Sequence, residues 1–319
     1  MRRVTAFLRS GKGLPTFAAL TLGWMILVVL EGAVVRATGS GAGCGDHWPL
    51  CNGQILPHHP RLATVIEFTH RSMTGFCTSL TAALIAWTFL AHRPGHRARK
   101  AAVWTGILLL TEALLGAVLV LGGFVEHNTS NLRVLVQGVH FTNTMLLLAA
   151  LSLTWWWQRP RRAIQSCSSV APRITSLCLL LTVLTGATGS VAALADTLFP
   201  APNLHAALLA DLDPGSPLLI RMRWMHPAAA LASFVLILVL ALGLRRGKGT
   251  LLTLMFAQIV LGVADVLALA PLTLQVLHLL AADLLWIALV VITAGVHSAA
   301  DERTQAPSNS GANVSAALA

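Results

Sequence analysis

Apolar residues run through this chain in long, nearly unbroken stretches, not in the short alternations of a soluble domain. Eight such stretches stand near 14–35, 65–91, 101–123, 134–157, 174–195, 224–243, 250–269 and 273–297. A helix crosses the hydrocarbon core of a bilayer in about 20 residues. Helices and closed barrels are the structures that satisfy their own backbone polar groups in lipid, so the pattern predicts eight transmembrane helices. The first stretch follows the basic segment MRRVTAFLRSGK, as a secretory leader would. Its apolar run exceeds the roughly 7–15 residues of a leader core and contains Glu31, so it reads as an uncleaved first helix.

Composition agrees with that pattern. The 319 residues are 55% hydrophobic and 11% charged, whereas about a quarter of a globular domain is charged. A soluble enzyme and a disulfide scaffold are excluded. The net charge of +10 could suggest a nucleic-acid partner, but its distribution points elsewhere. Sixteen of the 22 Lys and Arg lie before the first stretch, in 92–100, 158–173 and 244–249, or in the tail. Arg36, Arg61, Arg71, Arg133, Arg221 and Arg223 lie on the opposite side. The positive-inside rule then places both termini in the cytoplasm, and the basicity reports topology and no nucleic-acid partner. The tail DERTQAPSNSGANVSAALA is polar and rich in small residues, and is predicted to be disordered.

The two halves of the chain echo one another. Gln137-x-x-His140 in the fourth stretch matches Gln275-x-x-His278 in the eighth, and EALLGAVLV (112–120) in the third matches QIVLGVADV (258–266) in the seventh. RATGSG closing the first stretch resembles TGATGS in the fifth, and EFTHR opening the second stands opposite RWMHP, pairing His70 with His226. Four matches in one order predict two tandem, pseudo-symmetric four-helix bundles, 14–157 and 174–297, both facing the same way. They are flanked by a cytoplasmic segment 1–13, a linker 158–173 and the tail 298–319.

Twelve histidines are present, six of them in loops. His205 lies in NLHAALLADL, which reads as an interfacial amphipathic helix, and His297 at the end of the eighth stretch. The other four, His70, His140, His226 and His278, fall one each on the second, fourth, sixth and eighth stretches. Each sits within about two turns of the outer face, so all four lie at similar depth. Intramembrane ionisable groups point to function. Two histidines from facing helices suit axial ligation of a haem, and zinc fits less well because it wants four ligands. The pattern predicts two haem sites, one per half.

The halves are not equivalent. Glu67 precedes His70 on one helix face, whereas Arg223 takes the matching place before His226. Glu67 reads either as a group with a chemical role or as a partner of Arg71 or a helix cap. Arg221 and Arg223 read either as clamps for haem propionates or as snorkelling interfacial residues. Cys44 and Cys51 share the Gly-rich outer loop, where a disulfide can persist, as a structural bridge or as a redox-active pair. Cys77, Cys167 and Cys178 read as free thiols. Glu31, Glu112, Asp265 and Asp283 are further intramembrane acids, read as interior contacts or proton-path candidates.

These residues resemble the haem A synthase family. RATGSGAGCGDHWPLCNG (36–53) is similar to its first outer loop and EFTHRSMTG (67–75) to its second-helix motif, and His140, His226 and His278 fall where the family's other histidines do. The resemblance covers nearly all of 14–297, with Pro227 after His226 in place of the family's Arg. It implies oxidation of the C8 methyl of haem O to the formyl of haem A for terminal oxidases. It assigns His70 and His140 to the substrate haem and His226 and His278 to a resident haem b that relays electrons. Glu67 is then the carboxylate at the reacting methyl, and Cys44–Cys51 matches a subgroup with a loop disulfide. The implied setting is the cell membrane, with haem O supplied by a haem O synthase as candidate partner, an electron acceptor the residues do not identify, and a candidate homo-oligomer. Two other classes share these features: a bis-haem, cytochrome b-like quinone oxidoreductase, and a transporter.

Overall fold

The computed structural model describes residue 6 and residues 8–159 and 172–305. Cys167, most of the linker and the tail from 306 onward lie outside the described residues. The helices are α1 (Leu14–Ala37), α2 (Leu62–Ala91), α3 (Arg97–Leu121), α4 (Asn131–Trp157), α5 (Pro172–Leu198), α6 (Leu204–Leu212), α7 (Leu218–Arg221), α8 (Met225–Gly243), α9 (Lys248–Leu267) and α10 (Leu272–Gln305). Among the described residues there is no strand, and eight helical segments are long and apolar enough to cross a bilayer, with Leu218–Gly243 counted as one. The protein is a multi-pass membrane protein. Its outward faces carry bare aliphatic and aromatic side chains such as Leu20, Leu110, Leu231 and Phe256, which lipid covers.

The helix ends follow local chemistry. Gly13 takes φ 88° before α1, and Pro15 sits in the first turn, where a missing N–H costs nothing. Ser130 caps α4 by accepting from Arg133 N at 3.2 Å, and the His96 ring caps α3 through Ala98 N at 3.1 Å. The sixth crossing is broken at Met222–Trp224, between α7 and α8. Pro227 lies in the first turn of α8, where the helix tolerates it. A helix does form around His205: α6, capped by Asn203 through Ala206 N at 2.9 Å. The eighth helix runs on to Gln305, so 298–305 is helical where the tail is expected to be disordered, because no Gly or Pro interrupts that stretch.

The helix contacts follow one scheme in each half. In the first, α1 packs on α2 and α4, and α3 on α2 and α4; in the second, α5 packs on α8 and α10, and α9 on α8 and α10. The halves meet through α1 and α4 against α5 and α10. They share a core, since Trp286 and Val290 of α10 pack in one cluster with Leu22, Met25, Leu84 and Leu148. The Trp286 indole donates to Met145 O at 2.7 Å. α10 is the central helix: 56% of its most apolar window is buried, against 33% or less elsewhere.

Candidate functional site

Each of the four intramembrane histidines packs against a glycine on another helix. A Cβ on Gly189 of α5 would stand 2.9 Å from His226 Cε1, and one on Gly262 of α9 2.9 Å from His278 Cε1. The corresponding distance is 3.2 Å for Gly32 of α1 with His70 and 4.0 Å for Gly116 of α3 with His140. At the first three positions a larger residue would push into the ring, so the absence of a side chain is what lets the imidazole lie against the helix.

In the second half the rings of His226 and His278 stand 6.2 Å apart, centre to centre, at 86°. His226 Nδ1 lies 3.0 Å from Thr185 O. A ligand histidine commonly donates one ring N–H to a carbonyl in this way, which leaves the other nitrogen free as an electron-pair donor. His278 Nε2 is 3.2 Å from Gln258 Nε2, and its Nδ1 is buried with no hydrogen-bond partner. A ring nitrogen sits about 2 Å from the metal it ligates, so two imidazoles gripping one iron from opposite faces have centres roughly 6 Å apart. The donor set and its spacing fit a haem.

In the first half His140 is within electrostatic reach of His70, and both carry a buried Nδ1 without a hydrogen-bond partner. Glu112 Oε1 is 3.5 Å from His140 Nδ1. That carboxylate also accepts from Asn143 Nδ2 at 2.6 Å and from the Thr144 hydroxyl. Asn143 is itself held by Leu108 O at 3.0 Å and by the Thr111 hydroxyl at 2.8 Å. Among the described residues no group of three or more His, Cys, Asp or Glu is placed to hold a metal ion on its own.

Glu67 is buried at 3% exposure, and both of its oxygens are engaged. Oε1 pairs with Arg71 at 2.5 Å and Oε2 accepts from Cys44 N at 2.7 Å. Arg71 donates onward to His47 O at 2.7 Å and Leu50 O at 2.8 Å. Cys44 and Cys51 are disulfide-bonded. Thr64 donates to Gly43 O at 2.7 Å, and a Cβ on Gly43 would lie 2.4 Å from the backbone of Ala63, so glycine is required where the loop crosses α2. The Cys loop is thereby fixed to the start of α2, with Glu67 in the ion pair with Arg71.

The two arginines weighed as propionate clamps differ. The Arg223 guanidinium is held by Asp211 and Asp196, each at 2.7 Å, and by Ala207 O at 3.0 Å, so it ties the short helix α6 to α5. Arg221 is exposed. Among the other intramembrane acids, Asp265 and Asp283 each bury an oxygen with no hydrogen-bond partner. Cys77 and Cys178 are free and buried. The contacts of Glu112 and Gln258 with histidine were not foreseen, although the match of EALLGAVLV to QIVLGVADV already set the two residues, and Gly116 and Gly262, in register.

Comparison with known proteins gives the family. Residues 15–290 match the family model described as cytochrome oxidase assembly protein. A protein of Thermus thermophilus named protoheme IX farnesyltransferase is 41% identical over 280 residues, 84% of this chain and 46% of that protein. Proteins named heme A synthase match at 35% over 138 residues in Exiguobacterium sibiricum and at 37% over 144 in Shouchella clausii. These alignments cover 43% and 44% of this chain and 44% of each relative. The chain spans less than half the length of each of these relatives. The match across 15–290 nevertheless covers most of the eight-helix body, and the chain belongs to the COX15-CtaA family of cytochrome oxidase assembly proteins.

Proposed function

We propose that this chain is a haem A synthase, an oxidoreductase that converts the C8 methyl of haem O to the formyl of haem A. The observation that carries the reading is the His226–His278 pair, 6.2 Å apart across α8 and α10. The second half holds a resident haem b through these two histidines, and the first half holds the substrate haem through His70 and His140. The bound porphyrin iron supplies the redox chemistry, while the protein supplies ligation, orientation and charge. Gly32, Gly189 and Gly262 let the imidazoles of His70, His226 and His278 lie flush against the neighbouring helices. Glu67 is the carboxylate proposed to act at the reacting methyl, and its contacts with Arg71 and Cys44 N also tie the loop that carries Cys44 and Cys51 to the helix that presents His70.

We read the halves as a duplicated four-helix unit with both termini cytoplasmic. The substrate enters from the bilayer, where its isoprenoid tail partitions, after supply by a haem O synthase. The name of the Thermus thermophilus relative favours a second reading, farnesyl transfer to protohaem. Membranes containing the full chain, supplied in separate reactions with haem O and with protohaem plus farnesyl diphosphate, decide between them when the porphyrins are extracted and weighed by mass spectrometry. Haem A formed from haem O is the expected result. Unchanged haem O alongside farnesylated protohaem overturns the proposal.

A further inference from the structure

We infer that Glu112 is a positioning residue for His140 that sets the first-half iron at a lower reduction potential than the second-half iron. The inference rests on the haem reading above. Glu112 stands one turn before Gly116 on α3, and Gln258 stands one turn before Gly262 on α9, 146 residues later in each case. Each reaches the histidine on the following crossing: Glu112 Oε1 lies 3.5 Å from His140 Nδ1, and Gln258 Nε2 lies 3.2 Å from His278 Nε2. The same place in the two halves therefore presents a carboxylate to Nδ1 of one imidazole and a neutral amide to Nε2 of the other.

The surroundings differ in step with that exchange. Asn143 and Thr144, which both donate to Glu112, lie three and four residues after His140. Three and four residues after His278 stand Ala281 and Ala282, which have no side-chain donor. Gln258 Oε1 is buried with no hydrogen-bond partner. At this place the first half thus carries a carboxylate together with the two donors that fix it, and the second half carries neither. A carboxylate beside one ring nitrogen of a ligand histidine raises the basicity of the other and stabilises the more positive, ferric state of the iron. A neutral amide does so less. The resulting order of potentials favours electron flow from the first half to the second.

The test is an equilibrium redox titration, followed optically, of the full chain purified in detergent and loaded with iron protoporphyrin IX. The component lost in His140→Ala identifies the first site. Glu112→Gln is expected to raise the midpoint of that component and to leave the other unmoved. A tenfold change in ferric-over-ferrous preference corresponds to about 59 mV for one electron. The reciprocal Gln258→Glu is expected to lower the second midpoint, and it stands as a separate test should Glu112→Gln fail to fold. A first component that stays bound in Glu112→Gln with its midpoint unchanged overturns the assignment of Glu112. A wild-type chain with no component sensitive to His140 overturns the haem reading itself, and this inference with it.

Discussion

Arg36, on the last turn of α1, donates to Gln275 Oε1 on α10 at 2.7 Å, one turn before His278. The same guanidinium donates to Ala193 O at 2.7 Å and to the Thr197 hydroxyl at 2.6 Å, both on α5. Gln275 completes the chain by donating to Ala270 O at 2.5 Å. One side chain of the first half is thereby bonded to two helices of the second, on the helix whose Gly32 supports His70. Its place in the fold is the junction of the two histidine pairs.

Arg36→Leu is accordingly expected to destabilise the folded chain. Hydrogen bonds to a charged donor contribute about 1.5–3 kcal/mol each, and the acceptors left behind lose their partner. A lowered thermal midpoint in detergent, read by intrinsic tryptophan fluorescence, checks this. An unchanged midpoint would mean that the halves are held by the shared apolar core around Trp286 alone.

The glycine contacts predict an order of sensitivity. Gly189→Ala and Gly262→Ala place a Cβ 2.9 Å from an imidazole carbon, whereas Gly116→Ala makes an ordinary contact at 4.0 Å. Overpacking of this kind costs about 1–3 kcal/mol, on the order of tenfold in occupancy. Haem retained after purification, measured by pyridine haemochrome, is expected to fall in the first two variants and to hold in the third. Equal retention in all three would remove the glycines from the argument.

Glu67→Gln keeps the shape of the side chain but loses the ion pair with Arg71. Conversion of haem O is expected to fall at least tenfold while haem at His226 and His278 is retained. Arg71→Ala is expected to release the segment 47–50, which limited proteolysis of the folded protein detects as new cleavage in the Cys loop. Full turnover in Glu67→Gln would show that the loop needs no carboxylate to stay in register.

Reporter fusions test the topology. With both termini cytoplasmic, alkaline phosphatase fused after the tail is expected to be inactive, and fused within 122–130 to be active. The reverse pattern would invert the placement of the Cys loop and of all four histidines.

The sequence by itself determined the eight crossings, because spanning lipid is a matter of continuous apolar length along one segment. It also put His70, His140, His226 and His278 one each on the second, fourth, sixth and eighth crossings, since a residue's place along a helix follows from counting. The register of Glu112 with Gln258 and of Gly116 with Gly262 was readable in the same way. Partners were a different matter. Whether Glu67 meets Arg71 and Cys44 or stands free, and whether Arg223 meets Asp196 and Asp211, depends on how each helix is rotated about its axis and which neighbour it faces. Apolar helices differ little in composition from one face to another, so hydropathy does not encode that rotation. Packing decided it: small residues such as Gly43 and Gly189 permit close approach, the break at Met222–Trp224 turns Arg223 toward α6, and α10 threads between the halves. Contacts such as Arg36 to Gln275, 239 residues apart in the chain, exist through tertiary structure alone.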